Sequence, residues 1–184
     1  MTTSVRVTYL AAVVLFMGFY PPAVEAAERV IPVLELDDAE FSVVVHDVLG
    51  EGWIDVPLDQ PPSLEALSPL GSEMLMLGVR DEPHWLGFRA RNTTGSTVSR
   101  VVSLPTGRLA EFRMLVQSPD GTRKEIEYQA NDELSDRYLL QSIDYSAVVV
   151  FGPHEEKDIF LRIEAPVPVQ ARLVISGAQG YFVG

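Results

Sequence analysis

The sequence predicts an all-β protein built as an antiparallel sandwich, and three observations carry that expectation. The first is the stretch Trp85-Leu86-Gly87-Phe88-Arg89-Ala90-Arg91-Asn92, in which Leu86, Phe88 and Ala90 alternate with Gly87, Arg89 and Arg91. A period of two belongs to a strand with one buried side. The second is the repetition of short runs at 98–104, 109–116, 123–128, 146–151, 158–164 and 171–176, each closed by Gly, Pro, Asn or Asp. Short strands at close spacing with turn signals between them are the pattern of a sandwich. The third is Ser118-Pro119-Asp120-Gly121, which puts Pro second and Gly fourth in a turn and so makes 109–116 and 123–128 a hairpin.

Composition bounds the rest. The chain has 184 residues, 47% hydrophobic, which suits one domain with a core of its own, placed at 27–184. Fourteen Lys and Arg against 26 Asp and Glu give a net charge of -12. Such a surface repels phosphate backbones, so nucleic acid is not an expected partner. The absence of Cys removes thiolate catalysis, zinc-finger ligation and disulfide scaffolding, and leaves His46, His84 and His154 as the imidazoles.

In chain order, residues 1–26 read as a secretory signal helix: Arg6 is the positive flank, 7–20 is apolar, Pro21-Pro22 ends it, and Val24-Glu25-Ala26 sets cleavage before Ala27. A retained N-terminal anchor is the alternative, although the apolar run is shorter than the roughly 20 residues that span a bilayer. The expected location is periplasmic or secreted, with no membrane span after cleavage. Residues 30–36, interrupted by Pro32, read as an edge strand. Residues 41–48 follow as a strand, with His46 a satisfied core histidine rather than a ligand, and 47–59 as a solvated loop without EF-hand spacing. Ser63 is placed to cap one helical turn over 63–67, and Pro69 stops its extension.

Residues 74–79 resume a strand in which Met74 and Met76 read as core filler. Arg89 and Arg91 then project together from the organising strand, either as a salt-bridged face or as an anion clamp. Asn92-Thr93-Thr94 is formally a glycosylation sequon. In the next strand Ala110, Phe112, Met114 and Val116 form the inward set. Residues 130–142 are a polar connection carrying Arg137 and Tyr138, either a binding loop or a crossover. Gly152 to Glu156 reads as a hairpin tip whose charges serve solvation, and the apolar ending Tyr181-Phe182-Val183 either packs back or docks.

One ordered set of pieces resembles a known family: Trp85-Leu86-Gly87-Phe88, Arg91-Asn92, Leu109-Ala110-Glu111-Phe112, Pro119-Asp120-Gly121, Ser135-Asp136-Arg137 and Ile159-Phe160-Leu161-Arg162-Ile163. It is similar to the type-2 extracellular sensor domain of bacterial seven-transmembrane receptors with diverse intracellular signalling modules. The short turn at 63–67 resembles the one those domains carry ahead of their tryptophan strand. Where the family usually has an arginine, this chain has Gly87. The resemblance implies a jelly-roll sandwich like that of carbohydrate-binding modules, recognition of a sugar or small metabolite, and a link to signal transduction. The family continues into membrane helices and a cytoplasmic enzyme, so the expectation here is a version without those parts.

Enzyme motifs are missing: there is no Gly-x-Ser-x-Gly elbow, no His-Glu-x-x-His pair, no Walker loop and no dinucleotide fingerprint. Catalysis, cofactors and metals are therefore not expected. A ligand site would draw on Trp53, Trp85, Tyr128 or Tyr138 for stacking and on Arg89, Arg91 and Arg137 for oriented donors, although Trp85 reads better as core. The competing expectation is an interaction module that docks on an envelope receptor, enzyme or signalling partner through a sheet edge or the C-terminus, with no small ligand.

Overall fold

The computed structural model describes residues 31–37, 42–45, 47–78, 80–106, 109–126, 129–130 and 143–178. The leader, the C-terminal ending, His46, Tyr128, Arg137 and Tyr138 lie outside the described residues. In chain order the elements are β1 (Val33–Leu36), β2 (Ser42–Val44), β3 (Gly50–Trp53), a 3-10 turn (Leu64–Ala66), β4 (Ser68–Pro69), β5 (Leu75–Leu77), β6 (His84–Asn92) and β7 (Val98–Thr106). They continue as β8 (Glu111–Gln117), β9 (Arg123–Ile126), β10 (Gln129–Ala130), β11 (Ile143–Phe151), β12 (Glu156–Glu164), β13 (Val169–Ala171) and β14 (Val174–Gly177).

Two sheets face one another. The front sheet runs β4-β3-β6-β12-β8-β9, and the back sheet runs β10-β11-β7-β14-β2. A small β13-β5 pair adds Leu75, Leu77 and Ala171 to the same core. One edge of β6 is shared: β3 pairs antiparallel with His84 to Gly87, and β1 pairs parallel with Arg89 to Asn92. Alternation sets the interior. Leu86, Phe88 and Ala90 of β6, with Phe112, Met114 and Leu161, meet Val102, Leu104, Val149 and Phe151 from the back sheet in one buried cluster. Each large apolar side chain fully buried there contributes about 1.5–3 kcal/mol. The all-β antiparallel sandwich expected from the sequence is the observed architecture, with β1 against β6 as its one parallel pair among the described strands.

Several expectations change. The chain from Gly152 to Glu155 is not a hairpin tip, because β11 pairs with β7 in the back sheet and β12 with β6 and β8 in the front sheet. Two long strands with better partners elsewhere are joined by a tight arch between layers, closed by Glu155 N–H donating to the Gly152 carbonyl (3.2 Å) and Gly152 N–H to Glu155 Oε2 (2.7 Å). Inside the supposed loop at 47–59, Gly50 and Gly52 belong to a strand. A Cβ on Gly50 would lie 2.8 Å from Leu67 Cβ, so the glycines serve a close approach rather than a turn. Ser63 makes no side-chain cap. Ala110 precedes β8 and is exposed, so the inward set starts at Phe112. Met76 is exposed, because the core side of β5 is Leu75 and Leu77.

The turn at Ser118–Gly121 forms as expected. Gly121 N–H donates to the Ser118 carbonyl (2.9 Å), and Gly121 has φ 82°, the left-handed region that favours glycine.

Candidate functional site

The outer face of the front sheet is where the charged residues gather, because every second residue of β6, β12, β8 and β9 points away from the core. Pairing puts Arg89, Asp158, Gln117 and Arg123 in one row across four strands. Arg89 donates to both oxygens of Asp158, through Nε (2.6 Å) and Nη2 (3.0 Å), and stands 3.5 Å from Glu156. That bidentate bond to Asp158 holds the Arg89 proton more tightly than usual. Arg91 donates to Glu156 Oε2 from Nε (2.8 Å) and Nη2 (2.5 Å). Arg89 and Arg91 thus face carboxylates of β12, the salt-bridged arrangement.

At the far end of the row, Arg123 donates to Gln117 Oε1 (2.8 Å) and to the Asp59 carbonyl (2.7 Å). Arg113 donates to Glu125 Oε1 (2.7 Å), and Arg162 pairs with Glu111 and with Glu164.

An apolar strip crosses this charged face. Gly87, Phe160 and Leu115 share the next row, and the segment from Ile54 to Leu67 lies over them. A Cβ on Gly87 would come within 2.6 Å of Leu67 Cδ1 and 2.7 Å of Leu64 Cδ2. Trp85 anchors the same segment: its side chain is 0% exposed and its Nε1–H donates to the Ile54 carbonyl (3.0 Å). The ring of Trp85 therefore offers no face to a ligand, in keeping with its reading as core.

Two cavities open beside the strip. One, of about 280 Å³, is lined by Arg89, Gln117, Ser118, Glu156, Lys157 and Asp158. The other, of about 390 Å³, is lined by Leu58, Asp59, Arg113, Leu115, Arg123 and Glu125. The hydrogen bond between Gln117 and Arg123 joins the two linings.

Trp53 lies elsewhere. Its ring stacks on His84 at 4.3 Å between centroids and 11° between planes, and the Arg80 guanidinium carbon is 4.8 Å from its centroid. His84 is 1% exposed, and Nε2 is 3.1 Å from Glu51 Oε2. Burial, reinforced by the nearby Arg80 charge, lowers the His84 pKa to about 4, so at neutral pH the contact is a neutral imidazole N–H donating to a carboxylate. Burial also raises the Glu51 pKa.

Of the candidates read from sequence, Arg89 and Arg91 stand together, while Trp53 and Trp85 are engaged in separate contacts. Gln117, Arg123, Asp158 and Glu156 were not singled out. The opposite charges recurring at alternate positions in 156–164 were the signal that could have paired them with Arg89 and Arg91. Among the described residues no three His, Asp or Glu side chains converge as metal ligands would, and no helix is long and apolar enough to cross a membrane.

Comparison with known proteins adds one match. The family model described as 7TMR-DISM extracellular 2 matches residues 37–176. No curated protein matches the chain.

Proposed function

Because the chain belongs to the 7TMR-DISM extracellular 2 family, an extracellular domain family of signalling receptors, we propose that it is an exported sensor domain that binds a small polar ligand on the outer face of its front sheet. One observation carries this reading: a single cross-strand row, Arg89, Asp158, Gln117 and Arg123, lines two cavities on that face. Rows of fixed donors and acceptors beside a concave surface are what orient a polar ligand. The ligand class is a small metabolite or sugar held by hydrogen bonds, since neither Trp85 nor Trp53 presents an unoccupied ring. Binding, rather than turnover, is the proposed activity, and the proposed location is periplasmic or extracellular.

A thermal-shift panel of monosaccharides, hydroxy acids and free amino acids tests it. Ligand that binds only the folded chain raises its melting temperature by mass action. At least one compound should shift the wild type, and Gln117→Ala should remove that shift. A panel without any shift would contradict the reading.

A second reading, docking on an envelope receptor or signalling partner, is favoured by the back sheet. Its outer side leaves Val148 and Val150 41% and 49% exposed beside a half-buried Ser99, whereas Val101, Ser103 and Ser146 of the same side are buried. Small apolar and hydroxyl side chains without charge suit contact with another protein surface. Val148→Lys that left every small-ligand shift intact yet abolished capture of a receptor ectodomain would favour it.

A further inference from the structure

Arg123 differs from the other arginines of the front-sheet face. Arg89, Arg91, Arg113 and Arg162 each meet a carboxylate, whereas the partners of Arg123 among the described residues are two neutral oxygens, Gln117 Oε1 and the Asp59 carbonyl. A guanidinium has five N–H donors. Two are used here, which fixes the group from two sides and leaves its charge and remaining donors for an anion. The cavity beside it, about 390 Å³, has Leu58 and Leu115 as apolar wall, Glu125 and Asp59 as acids and Arg113 as a second guanidinium already paired with Glu125. Glu125 meets Arg113 through Oε1, so Oε2 stays available to a cation among the described residues. Arg123 and Glu125 are two positions apart on β9 and point to the same side, about 6.6 Å along the strand.

Opposite charges at that spacing, beside an apolar wall, fit a molecule that carries both charges on one end and a hydrocarbon on the other. A free monoanion would work against the net charge of -12, and a zwitterion would not. We infer that this cavity binds a free aliphatic α-amino acid, with its carboxylate on Arg123, its ammonium on Glu125 and its side chain against Leu58 and Leu115. The inference rests on the sensor reading above and names the ligand class of that face.

Isothermal titration of the chain with L-leucine, 4-methylpentanoate, leucinamide and glucose tests it. Leucine should bind, and the two analogues lacking one charge should bind about tenfold or more weakly. Arg123→Gln should lose about tenfold or more for leucine, and Arg123→Lys less, because the point charge survives without the fork. Glu125→Gln should weaken leucine and leave 4-methylpentanoate unchanged. An unchanged melting temperature in the absence of ligand establishes that each variant is folded. Leucine binding that survives Arg123→Gln in a folded variant would overturn the inference, as would no leucine binding at all. If leucine fails while glucose binds and Gln117→Ala abolishes that binding, the inference falls and the sensor reading stands. Heat from none of the four overturns the inference, and the wider thermal-shift panel then decides the sensor reading by itself.

Discussion

Asn92 and His84 sit at opposite ends of β6, and both are polar side chains inside the protein. Asn92 is 0% exposed and fully used: Nδ2 donates to the carbonyls of Ser96 and Gly152 (2.7 Å each), and Oδ1 accepts from the Thr94 N–H and hydroxyl (2.9 Å each). An amide with all its bonds made inside the fold is a structural tie between the turn after β6 and the β11–β12 arch, and the sequon around it is not a glycan site on the folded chain. His84 is less well served, since its Nδ1 is buried without a partner among the described residues. Its folded pKa, about 4, lies below the usual 6.5. As pH falls through 6.5 the unfolded chain takes up the proton first, so stability drops between about pH 6.5 and 4 and levels off below. The loss from this group is up to about 3 kcal/mol. Glu51, whose pKa is raised, works in the opposite direction and offsets part of it. Urea unfolding at pH 7 and pH 4.5 should show a smaller acid loss in His84→Phe, which keeps an aromatic ring against Trp53, than in the wild type. Equal losses would show that His84 does not titrate in this way.

At the scale of elements, the packing of the segment from Ile54 to Leu67 on β6 depends on Gly87. Its hydrogen atom leaves the space that Leu64 and Leu67 fill, with Phe160 Cδ1 3.2 Å from where a Cβ would be. Gly87→Ala should therefore cost about 1–3 kcal/mol by overpacking. The strain is shared with Leu64, so Gly87→Ala combined with Leu64→Ala should cost clearly less than the sum of the two single changes. Strict additivity in a denaturation cycle would show that the two side chains do not compete for this space. A long side chain at position 87 has no room beneath these leucines.

The same elements show what the sequence could convey. Strands β6, β7, β8, β11 and β12 were legible because each is a run of seven to nine residues rich in apolar and β-branched side chains, with turn signals between the runs. Strand β3, Gly-Glu-Gly-Trp, was not, since glycine signals a turn and its role here lies in contact with Leu67, which is distant in sequence. The arch at Gly152 was misread for a related reason: local turn chemistry is the same whether the following strand returns to its predecessor or crosses to the other layer. The pairing of Arg89 and Arg91 with Asp158 and Glu156 across more than sixty residues is likewise a product of sheet register. Alternation says which side a residue faces, and only the register says what it meets.

For the whole molecule, the two outer faces divide the chemistry. The front face carries the arginines and carboxylates in register, crossed by a buried apolar strip. The back face, over β7 and β11, carries serines and valines. In a chain with net charge -12, this separation lets one face order polar groups around cavities and leaves Val148 and Val150 exposed on the other. The central claim is that the charged face recognises the ligand. Amide chemical-shift mapping of the isotopically labelled chain with a pooled panel of free amino acids, hydroxy acids and monosaccharides tests it most directly. Shifts are expected on the front-sheet strands β6, β8, β9 and β12 and in the segment following Ile54. Shifts confined to the back-face strands β7 and β11, or none with any member of the pool, would contradict it.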